Sequence, residues 1–156
     1  MRVSEASILR PYLTGILEVS ARRGRENALS ELLRAMCGFA LPAPGRSEIS
    51  TLDTALWIAP ATFLFLAAEA RCAEIGAAVP ADVAAINDQS AGYEAMMLDM
   101  SAGSLPLASL CRLDLSKFAV GHATRTPLGQ IPAVLWRPEH DRYGILVPRT
   151  LARTFI

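Results

Sequence analysis

The side chains that most often carry enzyme chemistry are few and widely spaced in this sequence. Its only histidines are His122 and His140, and its only cysteines are Cys37, Cys72 and Cys111. An acid–base centre or a metal site needs a second partner within reach of each histidine, and no local spacing supplies one. We therefore expect His122 to be a core or interface histidine. We expect His140, which lies in a charged turn, to be exposed to solvent.

The cysteines indicate structural thiols. Their number is odd and no C-x-x-C pair is present, which argues against a disulfide framework or a zinc site and favours a reducing compartment. Cys37 and Cys111 fall on predicted helices among leucines and methionines, where buried thiols are common. The sequence also contains no G-x-S-x-G elbow, no G-x-G-x-x-G after a strand and no G-K-[ST] motif. We predict neither catalytic residues nor metal ligands in this chain.

One polar cluster stands out at a predicted strand bend, where Asp88 precedes Ser90 by two residues. An aspartate in this position caps the following turn with its own side chain, and this is the structural interpretation. A ligand-binding role is the alternative. The nearby carboxylates Glu94 and Asp99 fall on opposite phases of the next predicted strand, so they do not form a paired acid–base site.

The composition favours a protein that associates with a partner. The 156 residues are 52% hydrophobic and 19% charged, whereas soluble domains are typically about a quarter charged. Such a chain is expected to expose apolar patches of the kind that mark partner surfaces, although its many alanines also raise the hydrophobic count. Fifteen basic residues balance fifteen acidic ones, so no net field attracts nucleic acid or anionic lipid.

The sequence predicts a cytoplasmic protein without a membrane segment. No basic segment followed by an apolar run opens the chain, so we expect no signal peptide. The longest uncharged stretch, Thr54 to Ala68, contains Pro60 and is too short to span a bilayer.

Hydrophobic periodicity predicts an α+β fold in one domain, residues 1–156, with an irregular arm at 1–12. The order is a ferredoxin-like β-α-β-β-α-β followed by a β-α-β-β unit and a final helical turn capped by Thr150. Strands are predicted at 13–22, 55–59, 63–67, 83–87, 93–100, 118–124, 131–137 and 143–147. Helices are predicted from 26 to Gly38, over 69–78 and over 105–113, the last with Ser104 as its N-cap. Residues 42–53 are predicted to form a loop.

The order of several short segments over residues 54–155 resembles the gamma subunit family of heterotetrameric sarcosine oxidase, which is related to the aminomethyltransferase folate-binding fold. The segments are Leu56-Trp57-Ile58 followed by Pro60, Asp88-x-Ser90, Leu113-Asp114-Leu115, Gly121-His-Ala-Thr-Arg-Thr126, Leu135-Trp136-Arg137 and Val147-Pro148-Arg149-Thr150.

This resemblance implies a non-catalytic subunit of a bacterial oxidase that demethylates sarcosine to glycine. The one-carbon unit leaves as formaldehyde or on tetrahydrofolate, and oxygen is reduced to hydrogen peroxide. It implies that FAD, FMN, NAD and zinc belong to the alpha, beta and delta subunits of the complex. Trp57, Trp136 and Phe63 are then core or interface anchors.

There are three alternatives to this role, of which the first two rest on the resemblance. Comparable small subunits serve related enzymes such as N-methylglutamate dehydrogenase. The chain could also act alone as a folate-binding protein, with Asp88, Tyr93 and Arg125 as the candidate folate residues, or as an assembly factor that leaves its folded client. Members of the family continue beyond the final helical turn, which implies a short C-terminus here or one completed by a partner.

Overall fold

The structure is a computed structural model and describes residues 8–12, 14–100 and 106–155. The chain divides into two compact units, one of residues 1–13 with 91–156 and the other of residues 14–90.

The described residues form the following elements. The strands are β1 (Ile8–Pro11), β2 (Gly15–Ala21), β3 (Ser47–Ile49), β4 (Thr54–Ala59), β5 (Thr62–Ala67), β6 (Ala84–Asp88), β7 (Tyr93–Asp99), β8 (Ala123–Leu128), β9 (Ile131–Glu139) and β10 (Arg142–Pro148). The helices are α1 (Glu26–Cys37), α2 (Glu69–Ala78), α3 (Pro106–Leu110) and α4 (Ala152–Phe155), with a 3-10 turn at Arg149–Leu151.

Residues 14–90 form the predicted ferredoxin-like unit. Its chain order is β2-α1-β3-β4-β5-α2-β6, which is β-α-β-β-α-β apart from the short strand β3. The sheet order is β3-β4-β5-β2-β6 with antiparallel neighbours throughout. Each helix connects two parallel strands that are not adjacent in the sheet, which is the split β-α-β arrangement. β3 extends the sheet by one short edge strand.

Both helices of this unit pack on one face of its sheet. The apolar stripe of α1 buries Leu29 and Leu33, and α2 buries Ile75. These side chains join Val19 and Phe65 in one core cluster, as expected for helices with one apolar face. Gly38 ends α1 in the left-handed conformation, with φ of 82°, as predicted.

The other unit is built on an antiparallel sheet of order β1-β7-β10-β9-β8. One face of this sheet carries Met96, Leu135, Ile145 and Val147, which pack together with Leu107 from α3. Side chains alternate between faces along each strand. The residues between these core positions therefore line the opposite face, which holds the cavity described below.

The structure corrects several predicted boundaries near the chain start and in the middle. Part of the predicted irregular arm is β1, which pairs with β7. The predicted loop 42–53 contains β3, whose three residues are too few for their alternation to stand out. The helix predicted over 105–113 ends at Leu110. Its predicted cap, Ser104, lies outside the described residues.

The strand predicted at 118–124 is also wrong, because β8 begins only at Ala123. The segment before it turns, with Gly121 at φ of 90° and the His122 N–H bonded to the carbonyl of Ala119. From Tyr93 onward the unit therefore runs β7-α3-β8-β9-β10. This order has the four strands and one helix predicted individually over residues 93–147, and the label β-α-β-β counts one strand too few. Thr150 lies inside the 3-10 turn, and Pro148 precedes that turn in the capping position.

Candidate functional site

The Asp88–Ser90 segment forms the turn that its spacing predicts. The Ser90 N–H donates to Asp88 Oδ1 at 2.9 Å. The Ser90 hydroxyl in turn accepts the N–H of Ile16 at 2.9 Å, and the Gln89 N–H donates to the Ile16 carbonyl. Hydrogen bonds from Ser90, chiefly from its backbone N–H and then from its hydroxyl, lower the pKa of Asp88. The capping role of Asp88 is thus confirmed, and the segment fastens β6 to β2.

The three candidate folate residues fall in two places. Tyr93 and Arg125 line one cavity of about 440 Å³. Asp88 belongs to the other unit and lines a different cavity of about 370 Å³, beside Glu69 and Cys72. The structure therefore brings Tyr93 and Arg125 to a common site, and Asp88 is not among the residues that line it. Folate binding by these residues stays a prediction.

The histidines occupy structural and exposed positions. The His122 ring contacts Phe118 edge-on, with the ring centroids 5.5 Å apart, and its Nδ1 lies 3.2 Å from the Ala119 N–H that donates to it. His122 is half-buried and precedes β8, so it is not part of a strand, contrary to the predicted strand 118–124. His140 has an 85% exposed side chain, as predicted. Within the described residues, no group of three or more His, Cys, Asp or Glu side chains is placed to hold a metal ion.

A buried charged network, which the sequence analysis missed, links α1, α2 and the β3–β4 turn. The Arg71 guanidinium donates to both carboxylate oxygens of Asp53, with Nη2 3.1 Å from Oδ2, and to Glu74 at 3.0 Å. It also donates to the Met36 carbonyl at 2.6 Å, near the end of α1. Asp53 is only 3% exposed, so its charge requires this partner.

The same network acts on Cys37. Burial, followed by the nearby Asp53 carboxylate, raises the pKa of the Cys37 thiol to about 11. A thiol in this state is protonated at neutral pH and a poor nucleophile. All three cysteines are buried and free, and the predicted burial of Cys37 and Cys111 is confirmed. The only sequence signal for the network is an aspartate just before an apolar strand, which many loops share.

A second arginine organises the segment before β8. Arg137 donates to the Phe118 carbonyl at 2.6 Å and to the His140 carbonyl at 2.7 Å. Its guanidinium also lies 5.2 Å from the centre of the Tyr143 ring, which is a cation–π distance. Like Arg71, this side chain is engaged in holding the backbone of its own unit.

Comparison with known proteins identifies the family. No protein-family model matches the chain. The chain is 33% identical to sarcosine oxidase subunit gamma of Corynebacterium sp. (strain U-96) over 120 residues, which is 73% of this chain and 58% of that protein. It is also 33% identical to the Arthrobacter sp. subunit gamma over 135 residues, covering 83% of this chain and 66% of that protein.

The structural comparison agrees. A chain of the heterotetrameric sarcosine oxidase from Corynebacterium sp. U-96, in complex with pyrrole 2-carboxylate, superposes with a TM-score of 0.81 and 28% identity. The match covers 94% of this chain and 78% of that one. The chain belongs to the sarcosine oxidase gamma subunit family. It spans 58% of the length of the first of these gamma subunits.

The predicted relation of this gamma subunit family fold to aminomethyltransferases is confirmed at the level of fold. Glycine cleavage system aminomethyltransferase T from Bartonella henselae matches with a TM-score of 0.65 and 17% identity over 90% of this chain. In the described part of this gamma-family chain, no helix has the length and apolarity needed to cross a membrane.

Proposed function

We propose that this chain is the small gamma-type subunit of a heterotetrameric, flavin-dependent sarcosine oxidase. The observation that carries the proposal is the 0.81 TM-score match to a chain of such an oxidase over 94% of this chain. In this proposal the complex oxidises sarcosine with oxygen and water to glycine, formaldehyde and hydrogen peroxide. Alternatively, tetrahydrofolate captures the one-carbon unit. The FAD, FMN, NAD and zinc belong to the alpha, beta and delta chains.

The role of this chain in the complex is to stabilise it rather than to react with substrate. Two features support that role. Arg71 and Arg137 are engaged in bonds to backbone carbonyls and structural carboxylates of their own units. Ile49, the last residue of the edge strand β3, and Leu52, in the turn after it, are 47% and 68% exposed, and exposed apolar patches mark partner surfaces.

Co-purification from the native bacterium tests the proposal. A tagged copy of the chain is isolated at low salt, and the chains that remain bound are identified and quantified by mass spectrometry. We expect larger flavin- and NAD-binding chains in equal amounts, together with sarcosine-dependent production of peroxide. The same tag on an unrelated protein of the same cell is the control. Recovery of this chain alone as a stable monomer would contradict the proposal.

Assays of the recovered complex separate the oxidase from a related dehydrogenase. Sarcosine and N-methylglutamate are compared as substrates, with oxygen and then an artificial dye as electron acceptor. Sarcosine turnover with oxygen is expected. Turnover of N-methylglutamate with the dye alone would instead assign the chain to a dehydrogenase complex. Stoichiometric recovery would also exclude the assembly-factor hypothesis, because such a factor leaves the folded complex.

A further inference from the structure

One end of the β7-β10-β9-β8 sheet carries a row of ring side chains on the face opposite its core cluster. Pro127 of β8 lies directly opposite Pro132 of β9. Tyr93 of β7 lies directly opposite Pro148 of β10. All four line the cavity of about 440 Å³, which falls within the roughly 300–1,000 Å³ typical of small-molecule pockets. The rings give this cavity a rigid, largely apolar wall.

Arg125 supplies the charge of the cavity. It lies two residues before Pro127 on the same strand, so its side chain leaves the same face of the sheet. Arg125 is exposed, and in the part of the chain that the structure describes its guanidinium makes no hydrogen bond or ion pair. Among the described residues, the lining includes Tyr93 and Gln130 as neutral polar groups and no carboxylate.

The nearest acidic residue in sequence to Tyr93 does not neutralise this charge. Glu94 follows Tyr93 on β7 and therefore projects from the opposite face of the sheet. Its carboxylate is 3.6 Å from the guanidinium of Arg149. Within the ranges that the structure describes, the cavity thus combines a flat apolar wall with one cation that has no ion-pair partner, and its electrostatic complement is an anion.

We infer that this cavity binds a small carboxylate that carries a flat ring. The ring lies against the proline and tyrosine wall, where dispersion contacts with rigid partners cost little side-chain entropy. The carboxylate accepts paired N–H bonds from the Arg125 guanidinium, the geometry in which arginine binds carboxylates best. The shape and charge of the cavity support this class of ligand, which is wider than the folates. The proposed site does not include Asp88. The inference is independent of any partner chain.

Titration of the full chain with 4-aminobenzoate tests the site. The probe has the flat ring and the carboxylate, 4-aminobenzamide keeps the ring without the charge, and cyclohexanecarboxylate keeps the charge without the flat ring. Binding is followed by NMR chemical shifts of the isotopically labelled chain. We expect saturable shifts centred on Tyr93 and Gln130 with 4-aminobenzoate. Both analogues are expected to bind roughly tenfold or more weakly.

Two variants test whether Arg125 binds the carboxylate of the probe. Arg125→Gln removes the charge from an exposed side chain, so the chain is expected to fold normally and to bind 4-aminobenzoate roughly tenfold or more weakly. Arg112→Gln is the matched control, because Arg112 is an exposed arginine of the same unit that does not line the cavity. Three results would overturn the inference: no saturable shift, equal binding of the benzamide, or equal binding by Arg125→Gln and the parent chain.

Discussion

At the residue scale, Gly144 packs directly against the indole ring of Trp136. They lie directly opposite each other on β10 and β9, and a Cβ atom at Gly144 would overlap the indole ring of Trp136. Trp136 is only 1% exposed, so the ring has no open space to enter. Glycine is therefore required at position 144 by packing, and not by a special backbone angle.

Gly144→Ala is expected to lower the free energy of unfolding by about 3 kcal/mol or more, at the upper end of overpacking costs. Urea unfolding, followed by tryptophan fluorescence, measures the change. Gly76→Ala is the control. Gly76 lies within α2, where an added methyl group meets Ile86 at an ordinary distance of 3.7 Å and alanine favours the helix by roughly 0.5–1 kcal/mol. Equal effects of the two substitutions would contradict the assigned packing.

Cys37 links the buried Arg71–Asp53 network to pH. Its folded-state pKa of about 11 lies above the ordinary value of 9.0, so the folded chain holds the thiol proton more tightly than the unfolded chain does. The contribution of this protonated thiol to the stability of the folded chain is complete below pH 9. It is lost as the pH rises toward 11, because the unfolded chain releases this proton first.

Replacing Cys37 by alanine should remove that part of the alkaline loss of stability. The measurement is the free energy of unfolding at intervals from pH 7 to pH 11 for both chains. The cavity left by the substitution lowers the variant's free energy of unfolding by the same amount at every pH. The readout is therefore how steeply this free energy falls with pH above pH 9. Parallel curves for the parent chain and Cys37→Ala throughout this range would contradict the prediction.

At the element scale, the Asp88–Ser90 turn holds the β2–β6 edge of the ferredoxin-like unit. Ile16 is 1% exposed, and its N–H donates to the Ser90 hydroxyl. An N–H buried without an acceptor costs about 1–3 kcal/mol. The turn therefore stabilises the unit through the Ser90 hydroxyl oxygen, at the end of the β2–β6 pairing.

Ser90→Ala is expected to destabilise the chain by about 1–3 kcal/mol, because the Ile16 N–H loses its acceptor. Ser90→Thr keeps the hydroxyl and is the matched control, with a smaller expected loss. Denaturant unfolding measures both, and amide hydrogen exchange at Ile16 reports the local effect. Unchanged exchange at Ile16 in Ser90→Ala would show that the bond does not protect this edge.

Elements with strong local signals were predicted well, and those fixed by distant partners were not. The α1 stripe, Gly38 and the β4–β5 hairpin are readable because periodicity and turn residues are local properties. β3 and β1 are short strands that exist through pairing with β4 and β7. Residues 118–122 alternate like a strand, but Gly121 and the Arg137 bond to the Phe118 carbonyl hold them in turns.

At the scale of the whole molecule, the low charge content and the exposed Leu52 and Ile49 agree with a chain that functions in a complex. Under the proposed function, the other oxidase chains bind only the folded form of this one. Binding of that kind stabilises the folded state by mass action.

Co-expression with the partner chains should therefore raise the midpoint of thermal unfolding of this chain. A partner at 100 times its dissociation constant contributes about 2.7 kcal/mol. Differential scanning fluorimetry of the isolated chain and of the purified complex measures the shift. Leu52→Asp changes the proposed partner surface around Leu52 and Ile49. Arg23→Asp, on an exposed loop of the same unit, is the control outside that surface. An unchanged midpoint in the complex would contradict a stable interface.

The α+β class, the ferredoxin-like order, the family and the burial of Cys37 and Cys111 could be read from the amino-acid sequence, because they depend on local periodicity and on the order of short segments along the chain. Which polar groups share a site became clear from the folded chain alone. The fold brings Tyr93 and Arg125 to one cavity across four strands, places Asp88 in the lining of another cavity, and buries Asp53 against Arg71. Such neighbours are set by strand order and register, to which residues far apart in the chain contribute jointly.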